Sequence, residues 1–348
     1  MEFRKGRKYA ITWCKKAETY NKRWNSKTEK TLEYYDEAIK RDPTFAKPWY
    51  EKGKIFVSAP DLPKNYYWVH TISPYITGTP APEYPDIGHP ASKYIETLKM
   101  FNKATELDPK FVDAWFAKGN FYLDYVNGED DAIECFDKII ALDPKFEPAW
   151  YRKAYALLQL GRNKPTIKCC DKAIALLPAD AKGGEDNSSH SFSSRWRVKA
   201  DALAKLGKDK EAIKCYDKSL EISWEHDDDI PFMLAKKGIA LAKLGRYKEA
   251  IKCYDEALPG LQKWGMPEKF LAKINLEKAN AISELGSSDT NEYPIKYYSH
   301  AIRFYTDRLF DSKRNPVKED RWKTGVKKLQ ETCSQAINGL KKYYDYQD

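Results

Sequence analysis

The sequence predicts an all-α fold in which about seven helix–turn–helix units follow one another along the chain. Two recurring phrases carry this prediction. The first, "LDPKFVDAWFAKGN" at 107–120, returns as "LDPKFEPAWYRKAY" at 142–155, and "RDPTFAKPWYEKGK" at 41–54 is a third copy. The second, of which "AIECFDKIIALDP" is one of six copies, alternates with the first. Self-similarity at a period of about 35 residues indicates helical hairpins that stack on their neighbours.

Each first helix repeats a large–small–large pattern, such as Trp115, Gly119 and Tyr122. These residues lie four and three positions apart, so they form one stripe of a helix. The small residue lets the second helix approach closely, and the large residues fill the space beside it. Each second helix also pairs a small residue with a large one four positions later, as with Ala132 and Phe136. A proline follows most second helices. Because proline cannot continue a helix, it ends the unit.

These phrases resemble the tetratricopeptide repeat (TPR), a helix–turn–helix unit of about 34 residues with a W-x2-L-G-x2-Y…A-x3-F…P pattern. In the family's numbering the first aromatic residue is position four, which falls here at Trp49, Trp115, Trp150, Trp196, Leu234 and Asn275. The resemblance implies a right-handed TPR superhelix of about seven repeats with terminal capping helices. It also implies a non-enzymatic module that binds a protein or peptide partner in its concave groove.

The repeats divide the chain into three predicted segments. Residues 1–43 are an N-terminal cap and a degenerate first repeat, 44–312 are the repeat array, and 313–348 form a C-terminal capping helix. Two stretches interrupt the array, an insertion at 58–92 inside one hairpin and a loop at 180–192. At the N-terminal end, a helical stripe is expected to cover the apolar end of the array. Its members are Tyr9, Trp13, Tyr20 and Trp24.

The insertion at 58–92 is rich in both proline and aromatic residues. Proline prevents a regular helix, whereas Trp68 and the neighbouring tyrosines are too apolar for a freely solvated linker. We therefore expect this segment to lay its rings on the array. Both the concave groove and the outer edge offer a surface for them, and our hypothesis is the groove.

The resemblance places the partner-binding surface on the concave side, at positions two, five, nine, twelve and thirteen of the first helices. Aromatic rings at these positions, mixed with polar and charged side chains, suit a peptide-binding groove. The candidate site residues are Tyr50, Lys54, Phe116, Asn120, Asp124, Tyr151, Tyr155, Gln159, Arg197, Asp201 and Lys205.

Some TPR proteins clamp the carboxylate tail of heat-shock chaperones, and this chain has part of that residue set. Asn120 and Arg152 match two clamp positions, but Phe116 and Pro148 stand where the clamp takes lysine. The sequence therefore predicts no tight binding of acidic chaperone tails.

Position seven is a lysine in all six regular units, at Lys52, Lys118, Lys153, Lys199, Lys237 and Lys278. Aspartates recur in step on the second helices, at Asp36, Asp137, Asp171, Asp217 and Asp255. The lysines could lie over the repeat seams beside these aspartates, or they could form a positive track for an anionic polymer. Because an acidic residue recurs with the lysine, the sequence favours the first interpretation.

The formal net charge of +9 is concentrated at the ends of the chain, with +7 in residues 1–30 and +4 in residues 313–348. A nucleic-acid binder concentrates its positive charge on its working face, so a protein partner is favoured. The alternatives are a nucleic-acid-binding repeat protein and a small-ligand receptor under the insertion. Without a long apolar run or a signal-peptide stretch, no membrane association and a cytoplasmic location are expected.

No catalytic motif is present in the sequence, which lacks GxxxxGK[ST], GxGxxG, GxSxG and HExxH patterns. The seven cysteines and five histidines show no spacing typical of a metal site. We therefore expect no enzymatic activity, no cofactor and no metal, and we expect the cysteines to be unpaired, mostly buried packing residues.

Overall fold

The computed structural model describes residues 2–24, 28–58, 90–177, 189–223, 229–263, 268–285 and 296–303, with single positions at 331, 334, 337, 338 and 341. Within these ranges the chain is helical apart from short turns, and they contain no strand. Most of the insertion, most of the loop at 180–192 and most of the C-terminal capping segment lie outside the described residues. The hypothesis that the insertion occupies the groove therefore remains a prediction.

The chain divides into two compact units, Met1–Leu176 and Leu177–Asp348. The first unit contains α1 (Glu2–Trp24), α2 (Thr28–Arg41), α3 (Ala46–Ser58), α4 (Pro90–Leu107), α5 (Val112–Phe121) with a π-helical turn (Tyr122–Val126), α6 (Glu129–Leu142), α7 (Glu147–Gln159) and α8 (Asn163–Ala175). The second unit contains α9 (Ser189–Lys205), α10 (Asp209–Ile222), α11 (Ile230–Lys243), α12 (Tyr247–Lys263), α13 (Glu268–Leu285) and a short α14 at 296–303.

Consecutive helices pair into hairpins within each unit. In the first unit α1 packs on α2, α3 on α4, α5 on α6 and α7 on α8, and each hairpin contacts the next one along the chain. In the second unit α9 pairs with α10, α11 with α12, and α13 with α14. The all-α repeat fold predicted from the recurring phrases is confirmed.

The small residue of each first helix lies where the two helices of a hairpin approach most closely. A Cβ atom added to Gly119 would lie 2.8 Å from the ring of Phe136, which is itself fully buried. The same contact recurs at Gly53 against Phe101 and at Gly238 against Tyr254. The small residues of the sequence pattern therefore lie against the rings of the second helices, and this contact sets the distance between the two helices of a hairpin.

The tryptophans at position four do not fill the core as the stripe predicted. They are half-buried, and in three repeats the indole N–H donates a hydrogen bond to the carbonyl of the proline six residues earlier. The N···O distances are 3.2 Å for Trp49 and Pro43, 3.0 Å for Trp115 and Pro109, and 3.0 Å for Trp150 and Pro144. An indole N–H needs an acceptor when its ring is covered, and the turn before the helix supplies one.

The first hairpin buries a different face of α1 from the one predicted. Tyr9 is 58% exposed, and Trp13 and Tyr20 are half-buried against Tyr34. The fully covered residues are small ones, namely Ala10, Cys14 and Ala17 of α1, which meet Tyr35 and Ala38 of α2. Small residues face α2 because this hairpin, like the others, is held at close approach.

The π-helical turn at the end of α5 absorbs one extra residue. Seventeen residues separate Trp115 from Ala132, whereas sixteen separate Trp150 from Thr166 in the next repeat. The turn widens the helix by one residue and ends at Asn127, which has a φ of 49°. As a result Tyr125 stacks on Phe121 and its hydroxyl lies 3.5 Å from the carbonyl oxygen of Val57, near the end of α3.

The cysteines of the described segments are buried and carry thiols rather than disulfides, as predicted. Burial raises the pKa of the Cys14 and Cys135 thiols to about 12, so both stay protonated and unreactive at neutral pH. None of the described helices is long and apolar enough to cross a membrane. The described residues also hold no group of three or more His, Cys, Asp or Glu side chains arranged to bind a metal ion.

Candidate partner-binding groove

In four repeats, the lysine at position seven forms an ion pair with one of the aspartates that recur in step. The pairs are Lys52 with Asp36 (2.5 Å), Lys153 with Asp137, Lys237 with Asp217 (2.6 Å) and Lys278 with Asp255. Each pair joins the first helix of one hairpin to the second helix of the preceding hairpin. The predicted lysines over the repeat seams are confirmed at these positions, and these four cations are engaged within the protein.

Tyr50 and Lys54 lie together on α3. The Tyr50 ring meets Phe111 edge-on, with 4.9 Å between ring centres. Lys54 places its ammonium 4.9 Å from the centre of the Tyr50 ring and 3.1 Å from a carboxylate oxygen of Glu51. Burial raises the pKa of the Tyr50 phenol, so the ring is a neutral surface at physiological pH.

Asn120, Asp124 and Tyr155 converge on one side chain, Arg152 of α7. The Arg152 Nε donates to Oδ1 of Asn120 at 2.6 Å, and a terminal nitrogen donates to Asp124 at 2.7 Å. The guanidinium carbon lies 6.0 Å from the centre of the Tyr155 ring. Arg152 therefore links α5 to α7, and two of the residues that resembled a carboxylate clamp are hydrogen-bonded to each other.

The other three predicted residues of the first unit lie on α5 and α7. Phe116 is half-buried, and its ring meets Phe136 and Phe146 edge-on, with 6.0 and 5.4 Å between centres. Tyr151 is also half-buried and precedes Tyr155 by one helical turn, so the two rings share a helix face. Gln159 is exposed at the end of α7.

In the second unit, Asp201 is a buried hydrogen-bond acceptor, whereas the sequence predicted an exposed residue of the partner-binding groove. Asp201 is 5% exposed, and its carboxylate accepts hydrogen bonds from the Tyr216 hydroxyl and the Lys236 ammonium, both at 2.6 Å. Arg197 lies 3.2 Å from Asp229 and 3.9 Å from Asp201. Of the three predicted residues on α9, Lys205 at its C-terminal end is the exposed one.

Sequence reasoning missed Lys236, although a signal for it existed. Lys236 occupies position six of its repeat, as Arg152 does in an earlier one. Each of these cations donates to the position-nine residue of the preceding first helix, Asp201 or Asn120. In both cases a cation at position six of one repeat donates a hydrogen bond to a polar residue at position nine of the preceding repeat. This bond therefore recurs between neighbouring repeats.

Two buried tyrosines offer a matched test of this polar network. The Tyr216 hydroxyl donates to Asp201, whereas the Tyr254 hydroxyl is buried with no hydrogen-bond partner in the described structure. The repeat of Tyr254 carries the apolar Ile239 at position nine, where Asp201 stands in the preceding repeat.

We expect Tyr216→Phe to lower the free energy of unfolding by about 1–2 kcal/mol, because Asp201 loses a donor in a buried site. Tyr254→Phe removes an unsatisfied hydroxyl, so it should leave stability unchanged or raise it by up to about 1 kcal/mol. Urea titrations followed by circular dichroism would measure both. Equal losses in the two variants would contradict the different environments of the two hydroxyls.

Two models described as tetratricopeptide repeat match the chain, one over residues 193–263 and one over residues 147–180. A comparison with curated proteins gives no match.

Among solved structures, the chain is similar to MamA, with 22% identity over 53% of this chain and 100% of that chain and a TM-score of 0.42. It is similar to YrrB, described as a TPR protein with an unusual peptide-binding site, with 18% identity over 62% and 98% and a TM-score of 0.45. It is also similar to PilF of Pseudomonas aeruginosa, with 17% identity over 69% and 90% and a TM-score of 0.47.

Proposed function

This chain belongs to the tetratricopeptide-repeat family, and we propose that it is a non-enzymatic scaffold that binds a partner protein or peptide in its groove. The observation that carries the proposal is a set of half-buried aromatic rings on three successive first helices, at Tyr50, Phe116, Tyr151 and Tyr155. Aromatic side chains surrounded by polar groups are the residues that dominate binding energy at protein interfaces. Buried free thiols suit a reducing compartment, so we propose a cytoplasmic location.

The ion pairs at position seven favour a protein partner over nucleic acid. A nucleic-acid-binding face needs a row of cations that can reach phosphates. Lys52, Lys153, Lys237 and Lys278 are instead paired with aspartates of the preceding hairpins. A nucleic-acid partner would have to use other cations of the chain.

Site-specific photocrosslinking tests the groove directly. We expect p-benzoylphenylalanine at position 151 to capture a defined protein from extracts of the producing cells. The same probe at Lys138, an exposed residue of the second helix α6, should capture little. Equal capture at the two positions, or capture at position 138 alone, would place the partner elsewhere.

Tyr151→Ala provides the matching loss-of-function test. Because Tyr151 is half-buried, we expect this substitution to cost about 1 kcal/mol or less of stability while it weakens capture of the partner. A thermal unfolding curve measures the first effect, and affinity purification with the intact chain measures the second. Unchanged capture by a folded Tyr151→Ala protein would rule out a contribution of this ring.

A further inference from the structure

The groove positions of the second unit carry more cations than carboxylates. At positions two, five, nine, twelve and thirteen of α9, α11 and α13, the basic residues are Arg197, Lys205, Lys243 and Lys273, and the acidic residues are Asp201 and Glu284. Position six adds one charge of each sign, Lys236 and Glu277. In the first unit, the same positions of α3, α5 and α7 carry equal numbers of cations and carboxylates. The excess of positive charge therefore belongs to the second unit.

The carboxylates at these positions leave the lysines available to a partner. Asp201 is 5% exposed and already accepts hydrogen bonds from Tyr216 and Lys236, so its charge is used inside the array. Glu284 is exposed near the end of α13, and it is the one carboxylate at the groove positions of the second unit that reaches the described surface.

Lys205, Lys243 and Lys273 are exposed. The ammonium of Lys243 lies 3.6 Å from a carboxylate oxygen of Asp209, beyond hydrogen-bond distance, and its side chain is 51% exposed. Lys273 forms no ion pair with any described residue. Burial raises the pKa of the Glu277 carboxyl, and Lys273 and Lys243 both oppose that shift. The two lysines therefore lie within electrostatic reach of the same side chain of α13.

The groove face of α11, the first helix between α9 and α13, is apolar. Its positions two, five, nine and twelve are Phe232, Ala235, Ile239 and Ala242. The Phe232 ring meets Phe270 of α13, with 5.1 Å between ring centres. Ile239 stands at position nine, where Asn120 and Asp201 of other repeats accept hydrogen bonds. A segment that lies on α11 therefore meets no hydrogen-bonding side chain at these four positions, and it needs apolar side chains of its own.

We propose that the groove of the second unit binds a partner segment in which acidic residues alternate with aliphatic ones. The carboxylates pair with Lys205, Lys243 and Lys273, and the aliphatic side chains lie on Ile239 and Ala242. A nucleic acid would match the lysines but would place phosphates and sugars against the apolar face of α11, so a protein segment fits better. This inference rests on the proposed function and specifies the chemistry of its partner.

Three labelled peptides of equal length, each with an amidated C-terminus, test both parts of this preference: (Glu-Leu-Gly)4, (Lys-Leu-Gly)4 and (Glu-Ser-Gly)4. Fluorescence anisotropy with the full chain at about 150 mM salt measures their affinities. We expect (Glu-Leu-Gly)4 to bind at least about tenfold more tightly than the lysine peptide, because like charges across an interface are disfavoured. It should also bind about fivefold more tightly than the serine peptide, which buries less apolar surface. Equal affinities in either comparison, or tighter binding of a single-stranded oligothymidine of the same length, would overturn the proposal.

Two matched double variants locate the binding surface. Lys243→Gln with Lys273→Gln should weaken (Glu-Leu-Gly)4 by about tenfold, as expected for two partly screened ion pairs. Lys210→Gln with Lys214→Gln removes the same charge from exposed positions of the second helix α10 and should change the affinity by less than about twofold. Equal weakening by the two double variants would show attraction to overall charge and would rule out the groove.

Photocrosslinking separates this inference from the proposed function. Here p-benzoylphenylalanine replaces Phe232, which exchanges one aromatic ring for a larger one at a half-buried groove position. If this probe captures a partner through an acidic segment, both stand. If it captures a partner through a basic or uncharged segment, the scaffold function stands and the acidic-segment inference is wrong. If the probes at positions 151 and 232 capture no protein while (Glu-Leu-Gly)4 still binds, the proposed function fails and the charge preference of the groove stands.

Discussion

Asp255→Asn is expected to destabilise the second unit by about 2–3 kcal/mol, because it removes the carboxylate that faces a buried ammonium. Lys278 is 1% exposed and is one of the largest fully buried side chains in the described structure. Its ammonium pairs with Asp255, donates to the Tyr297 hydroxyl at 2.7 Å and lies 4.1 Å from the centre of the Tyr297 ring. The hydroxyl and the ring cannot replace a full negative charge.

The repeats supply a graded set of controls for this prediction. The equivalent lysines are more exposed, with side-chain values of 11% for Lys52, 20% for Lys153 and 23% for Lys237. Their aspartates should therefore cost less to replace, about 1 kcal/mol or less for the most exposed pairs. Urea unfolding of the four Asp→Asn variants measures the series, and equal losses across it would contradict the role of burial.

Replacing both partners tests the same pair from the other side. Lys278→Met keeps the aliphatic volume and removes the buried charge, so Lys278→Met with Asp255→Asn should recover most of the stability lost in Asp255→Asn alone. A double variant as unstable as the single one would show that the packing of the lysine stem, and not its charge, determines the effect.

Gly119→Leu is expected to cost about 3 kcal/mol or more in the first unit, although leucine is the better helix former. The first added carbon would lie 2.8 and 2.9 Å from two ring carbons of Phe136 and 3.2 Å from Cβ of Cys135. Phe136 is fully buried, so its ring has no free space into which it can turn. The two helices α5 and α6 would have to separate.

A double-mutant cycle identifies the cause of this loss. Phe136→Ala alone should cost about 3–5 kcal/mol, as for other buried rings. With Phe136→Ala present, the leucine at position 119 can enter the vacated volume, so the double variant should be more stable than the sum of the two single losses by about 2 kcal/mol. Additive losses, measured by denaturant titration, would show that the two positions are not in contact.

The contacts that recur with the repeat could be predicted from the sequence. A small residue on the first helix, such as Gly119, is followed on the second helix by its contact residue, such as Phe136, and the glycine–ring pair recurs at Gly53 with Phe101 and at Gly238 with Tyr254. The lysine of position seven and the aspartate of the preceding second helix, such as Lys52 and Asp36, recur in the same way. Because each repeat has the same backbone geometry, two residues that hold fixed positions in the repeat meet again in space in each copy, even where loops of different length separate them. The helical hairpins, the close approach within each hairpin and the ion pairs over the seams therefore followed from the sequence.

The candidate groove residues depend on choices that the repeat does not encode. Asp201 and Lys236 are 35 residues apart, and Arg152 can reach both Asn120 and Asp124. Which partner a long side chain selects depends on the distance between neighbouring helices and on the cost of burying each charge.

The sequence by itself determined that this protein is an array of α-helical hairpins with aromatic side chains at its groove positions. The tertiary structure decided which side chains at the groove positions are buried in contacts with neighbouring helices and which remain exposed at the surface. Asp201 is buried beside Tyr216 and Lys236, whereas Asp113 stays exposed on α5. The physical reason is that periodicity sets the direction of a side chain from its helix, while burial and pairing are set by the residues that the neighbouring helices bring to it.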